Sequence, residues 1–371
     1  MKNKHTKVFL ELLRAGLWEQ DAQLFSYGKI DFLKILQLAE EQSVVGQITA
    51  GLEYVTDIVV PQDELITFIV STLQIEEQNK AMNSFIAGLV ERMYKADIYT
   101  LLVKGQGVAQ CYERPLWRAC GDVDLFLSEE NYLKAKDFFT PILSFSANEG
   151  VYEKHLGMVV DNWSVELHGS LRCGLSVKMD EELTKIQKEV FKGGDVRSWM
   201  NGKTQVFLPG ANFDILFVFT HFIKHFYLGG LAIRQICDWC RLMWTYRDEI
   251  DKGLLECRLK SMGLMTEWKA FGAFAVGYLG MPVEAMPLYS SESKWKLKAD
   301  KILSFVMEVG NEGHKRNGSY FEKYPYVIRK AMSLRYRCAD LIGHAWIFPI
   351  DSLRFFPNIM FHGLMAAVRG E

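Results

Sequence analysis

The chain has 371 residues, room for two or three domains of ordinary size with real hydrophobic cores. Hydrophobic residues make up 49% and charged residues 24%, which excludes an intrinsically disordered chain. Lys and Arg number 43 against 45 Asp and Glu, for a net charge of −2, which argues against a protein that coats DNA through a strongly basic surface, whereas small anionic ligands need only a local field. Seven scattered cysteines, an odd number, argue against a disulfide framework and for a reducing compartment. The basic N-terminus leads into residues 8–17, where Glu11 and Arg14 interrupt the apolar run, as expected of an amphipathic helix and not of a secretory leader. No run of about 18 apolar residues occurs; the nearest approach, 215–233, contains His221, Lys224 and His225. A soluble, cytoplasmic protein is expected.

Residues 1–95 read as a helical region. Phe32, Leu33, Ile35, Leu36 and Leu38 give one apolar stripe, and 63–95 reads as one long helix with Asp63 in its first turn. The period then changes. Residues 98–103 form a short β-branched and apolar run that stops at Lys104 and Gly105; a short helix is expected over 106–112, closed by Pro115. Residues 121–127 alternate like a strand, and 129–139 like a helix. Residues 155–160 and 163–168 flank Asp161 and Asn162, a two-residue hairpin turn. A further hairpin is expected over 196–208 around Asn201 and Gly202, and from Asn212 onward the chain is helical again, punctuated at 280–282, 310–318, Pro325, Pro349 and Pro357. The expected fold class is α+β: a small mixed sheet with helices over 96–210, flanked by helical regions at 1–95 and 211–371.

The stretch from Lys104 to Leu127 is the most informative. Asp122 and Asp124 are two apart, so a strand sets both carboxylates on one face, roughly 5–7 Å apart. Like charges so placed repel unless a cation lies between them, and a divalent ion with oxygen ligands is the natural neutraliser. Taken alone, the pair is equally the solvated end of a strand. Glu166 shares a strand face with Ser164 and His168, and a neighbouring strand would bring it to the same surface. Three carboxylates can hold two metal ions for in-line phosphoryl transfer. Gly105 ends a strand and opens a helix, where phosphate can approach backbone N–H groups.

The order strand–Gly–helix, then Gly121, Asp122, Val123, Asp124 and Leu125 on a strand, then a later strand with a lone acid, resembles the DNA polymerase beta-like nucleotidyltransferase superfamily. More narrowly, residues 102–105, Pro115 with Arg118, 121–125, 165–168 and 221–225 resemble a bacterial family of uncharacterised nucleotidyltransferases, over roughly residues 30–250. The resemblance implies a nucleotidyltransferase-type sheet and an enzyme that moves a nucleoside monophosphate from an NTP such as ATP to an unidentified hydroxyl acceptor with Mg²⁺ or Mn²⁺. It implies Asp122 and Asp124 as paired metal ligands, Glu166 as the third carboxylate and candidate base, and Gly105 as the start of the phosphate-binding turn. Gln106 departs from the usual second Gly or Ser, so Lys104 or Arg118 is assigned to the triphosphate, and Lys224 and His225 to the nucleotide or acceptor side. That departure also motivates an alternative, a catalytically inactive nucleotide-binding or antitoxin-like module.

His221, Lys224 and His225 fall on one helix face, and Arg234 and Asp238 form an i, i+4 pair on the next helix. These groups either converge on phosphates or a base, or form a polar seam between helices. The spacing of His221 and His225 suits zinc, without the glutamate of the protease motif. Cys237 and Cys240 read as buried thiols, and His155 as a strand histidine that can approach Glu166. Residues 314–371 carry nine Lys or Arg and four Asp or Glu, with Tyr324, Tyr326, Tyr336, Trp346, Phe348, Phe355, Phe356 and Phe361. This segment is either a helical core with a solvated basic face or a contact for a membrane surface, RNA or a protein partner such as a cell-surface glycan assembly system.

Overall fold

The computed structural model describes residues 4–141, 148–150, 154–228, 230–310 and 339–369. Helices α1 (Lys4–Trp18), α2 (Phe32–Glu41), α3 (Val45–Leu52) and α4 (Gln62–Lys95) come first. Asp31 caps α2 by accepting from the Lys34 amide at 3.2 Å. The long α4 starts after Pro61 with Asp63 and Glu64 in its first turn and ends with Arg92 and Lys95 in its last, charges that suit both ends of the dipole.

The strands then begin: β1 (Leu101–Val103), β2 (Asp122–Phe126), β3 (Asn148–Gly150), β4 (His155–Val160) and β5 (Trp163–His168), with α5 (Gly105–Ala109) after β1 and α6 (Glu129–Phe139) after β2. They form one mixed sheet in the order β1-β2-β5-β4-β3, in which β2 and β5 run parallel and the other neighbours antiparallel. The β4–β5 turn places Asp161 and Asn162 at φ 50° and 69°, the conformation a two-residue hairpin requires. α7 (Val177–Phe191) and the hairpin β6 (Val196–Asn201)–β7 (Thr204–Pro209) follow. The helices that follow include α8 (Ala211–Leu228), α9 (Ile233–Thr245), α10 (Lys252–Met262), α11 (Met265–Leu279), α12 (Ser293–Val309) and α13 (Pro349–Arg369). The expected strand at 98–103 is shorter, and the helix expected over 106–112 is the single turn of α5.

Two cores explain the layering. Val123 and Leu125 of β2, Val165 and Leu167 of β5, and Leu156 and Met158 of β4 turn to one face and pack on α4 and α6 through Met82, Ile86, Leu89, Tyr132 and Phe139. Because side chains alternate, the polar residues of β2 and β5 are left on the opposite face. A second core joins α1, α2 and α3 to α8, α9, α11 and α12 around Phe9, Phe219, Trp239, Trp268 and Phe271. Close approach inside it depends on Gly51 of α3, where a Cβ would lie 2.0 Å from the Leu12 carbonyl oxygen of α1.

Among the described residues, no helix is long and apolar enough to cross a membrane. Six cysteines are free thiols, Cys237 and Cys240 both buried; Cys338 lies outside the described residues. Of the basic aromatic segment, 314–338 with Tyr324, Tyr326 and Tyr336 also lies outside them. Phe348 and Phe355 are core residues, whereas Trp346, Phe356 and Phe361 are exposed.

Candidate functional site

The polar face of the sheet supports a compact group of carboxylates. Register pairs Asp124 with Glu166 across the parallel β2–β5 ladder, so the expected neighbour relation holds, with the strands parallel. One carboxylate oxygen from each of Asp122, Asp124 and Glu166 lies within 4.8 Å of the others. Lys104, between β1 and α5, reaches in from the side and donates to Asp124 Oδ1 at 2.6 Å. Its backbone has φ 55° and that of Gly105 φ 40°, two successive residues in the left-handed region. A Cβ on residue 105 would sit 3.1 Å from Cys120 Sγ, so glycine answers both the dihedral and the space there.

Histidines surround the acids. His168 Nε2 donates to Asp124 Oδ1 at 2.7 Å, and His155 Nε2 to Glu166 Oε2 at 2.9 Å. On α8, His221 Nε2 lies 3.4 Å from Lys104 Nζ and 3.0 Å from His225 Nε2. Burial and the Lys104 charge hold both α8 imidazoles well below the ordinary histidine value, His225 at about 4, so they are neutral near pH 7.

The acids are pulled in opposite directions. The Asp124 charge and burial push Asp122 up to about 6. Burial would raise Asp124 too, but the Lys104 ammonium and the His168 hydrogen bond outweigh it and hold that carboxyl well below the usual range. Burial likewise acts against Glu166, and the His155 hydrogen bond and Lys104 charge leave it lowered. The cluster therefore carries more negative charge than Lys104 neutralises. An all-oxygen set with excess negative charge fits a divalent ion.

Two cavities meet at Glu166, His221 and His225. One, about 130 Å³, is lined by Lys104, Gly105, Asp122, Asp124 and Arg234, and the other, about 220 Å³, by His155, His168, Arg172 and Lys224. The two cavities thus take in Lys104, Gly105, Arg118, Asp122, Asp124, Glu166, Lys224 and His225, but not on equal terms. Lys224 borders only the larger cavity. Arg118 borders the smaller one, yet its guanidinium is engaged: Nη2 and Nε donate to Asp238 of α9 at 2.6 and 3.1 Å, with Tyr112 donating to the same carboxylate at 2.8 Å. The i, i+4 pairing expected of Asp238 with Arg234 is replaced by this buried pair, and the Arg234 Nε is buried without a hydrogen-bond partner.

Gln106 turns away from the cavities and donates to Asn79 Oδ1 of α4 at 2.7 Å, while Asn79 Nδ2 donates to the carbonyls of Leu116 and Arg118. Sequence reasoning left His168 and Asn79 out of the site. Strand alternation already set His168 beside Glu166; no local signal marks Asn79.

With this geometry in view, residues 28–277 match the family model of uncharacterised nucleotidyltransferases, more than half of the chain. The chain belongs to that family. No curated protein and no solved structure matches it. The family match spans α2 to α11 and so includes every residue of both cavities.

Proposed function

We propose that this family member transfers a nucleoside monophosphate from an NTP to a hydroxyl acceptor with the help of Mg²⁺ or Mn²⁺. The observation that carries the reading is the convergence of Asp122, Asp124 and Glu166 within 4.8 Å where two cavities meet. Asp122, Asp124 and Glu166 would hold the ion, which supplies charge neutralisation for the triphosphate. On this reading the Gly105 cavity takes the NTP, with Lys104 and Arg234 as its cations, and the larger cavity takes the acceptor beside Lys224 and His225. The acceptor oxygen bonds to the α-phosphorus, the bond from that phosphorus to the bridging oxygen of the β-phosphate breaks, and pyrophosphate leaves. The hydroxyl proton passes to Glu166, whose lowered pKa keeps it ionised. Arg118 acts through Asp238 to fix α9 against the loop before β2, a positioning role in place of direct phosphate contact. Kinship with the DNA polymerase beta-like superfamily belongs to the same proposal.

A thermal-shift panel of ATP, CTP, GTP and UTP, each with and without Mg²⁺, tests it. Ligand at about 100 times its dissociation constant adds about 2.7 kcal/mol of stability. A metal-dependent shift, lost in Asp122→Asn and accompanied by pyrophosphate release with an acceptor extract, is the expected result; no shift with any nucleotide sinks it. The side chain of Gln106, bound to Asn79 and offering nothing to phosphate, favours one second reading, an inactive nucleotide-binding module. Binding without pyrophosphate release for every acceptor would select that reading.

A further inference from the structure

A second donor set shares Glu166 and lies on the side facing the larger cavity. The antiparallel β4–β5 ladder sets His155 directly opposite His168, and Glu166, two residues before His168, projects from the same face. The two imidazole centroids are 4.8 Å apart. Glu166 Oε2 is 2.9 Å from His155 Nε2 and 3.6 Å from His168 Nε2. One donor atom from each of the three lies within 4.8 Å of the other two. All three side chains line the cavity of about 220 Å³, which gives an ion a path from solvent.

The chemistry of this set differs from that of the three acids. Three carboxylates suit a hard ion such as Mg²⁺, whereas two imidazole nitrogens and one carboxylate suit a borderline ion, and two His with one Glu leave a fourth position open on zinc. We propose that His155, Glu166 and His168 form a transition-metal site, with Zn²⁺ as the favoured ion and Glu166 as a carboxylate shared with the oxygen triad. The His168 side chain, 12% exposed, presents its Nε2 to this set. The Nε2 protons of His168, now donated to Asp124, and of His155, now donated to Glu166, move to the Nδ1 atoms when the ion takes both Nε2 atoms. The site does not depend on the nucleotidyl-transfer reading.

The test uses the full chain, stripped with a chelator and held in excess Mg²⁺ to saturate the oxygen triad. Zn²⁺ is titrated by calorimetry, and Co²⁺ serves as the visible-absorption probe. One equivalent of Zn²⁺ and ligand-field bands from Co²⁺ are expected. His155→Gln keeps a hydrogen-bonding amide toward Glu166 yet supplies a poor ligand; it and His168→Gln should each weaken Zn²⁺ by about 100-fold or more, beyond the loss of an outer-shell partner. Unchanged far-UV circular dichroism verifies that both variants fold. Asp122→Asn should retain the Zn²⁺ equivalent while losing the Mg²⁺-dependent nucleotide shift, which separates the two sites. Absence of Zn²⁺ binding, or equal affinity in wild type and His155→Gln, overturns the proposal, since cysteines or surface histidines would then hold the ion.

Discussion

Asp122 and Asp124 stand two residues apart on one strand, yet their carboxyls depart from the ordinary value in opposite directions. Lys104 and His168 both contact Asp124, whereas the Lys104 and Arg234 charges offset the repulsion on Asp122 only in part. Its ionised form costs stability when no cation is bound. Asp122→Asn should therefore leave the metal-free protein at least as stable as wild type in a melting experiment at pH 7, while weakening Mg²⁺-dependent nucleotide binding by about 100-fold or more. A variant that melts well below wild type would contradict this charge assignment. The same pKa of about 6 sets a pH dependence. Below it Asp122 takes up a proton that the metal must displace, so Mg²⁺ affinity should fall by about tenfold in all as pH drops from about 7 to about 5. Mg²⁺ titrations of the nucleotide shift at both pH values measure it, and equal affinities would refute it.

At the scale of elements, α9 is tied to the loop before β2 by one buried ion pair. Arg118 and Asp238 side chains are only 2% and 6% exposed, so their charges are worth little except to each other. Asp238→Ala strands the guanidinium and should cost about 3–5 kcal/mol in urea unfolding. The double variant Arg118→Met with Asp238→Leu should recover most of that loss, because an apolar pair carries no desolvation penalty. The α1–α3 crossing is controlled by shape instead. Gly51→Ala drives a methyl into the Leu12 carbonyl and should cost about 1–3 kcal/mol while leaving the nucleotide shift intact, since the site lies on other elements.

At the scale of the molecule, one deeply buried acid, Glu267, couples the helical core to pH. Glu267 of α11 is fully buried; Tyr227 of α8 donates to its Oε1 at 3.0 Å, and Oε2 has no hydrogen-bond partner. Burial and the Asp351 charge of α13 raise its pKa from 4.5 to about 8, against Arg354 and the Tyr227 hydrogen bond. The folded state thus keeps a proton that the unfolded chain releases above 4.5, so this contribution is full at low pH and is lost as pH rises through about 8. Glu267→Gln should flatten that slope and resist urea better than wild type near pH 8. Parallel stability profiles for the two proteins would remove Glu267 as the cause.

The parts legible in the sequence are those written in neighbouring residues. Period-two alternation and the Asp161–Asn162 turn locate β4 and β5, and the apolar period with Asp63 in its first turn locates α4. The same alternation places Asp122 with Asp124, and Glu166 with His168, on shared faces. Contacts between distant segments obey no such local rule. The Asp124–Glu166 register, the turn of Gln106 toward Asn79, and the choice of Arg118 over Arg234 as partner of Asp238 arise from packing. Spacing on a helix offers Asp238 a neighbour four residues away, worth a few tenths of a kcal/mol in water. Burial makes an unpaired Arg118 far costlier than that, so the fold spends the carboxylate on the deeper charge.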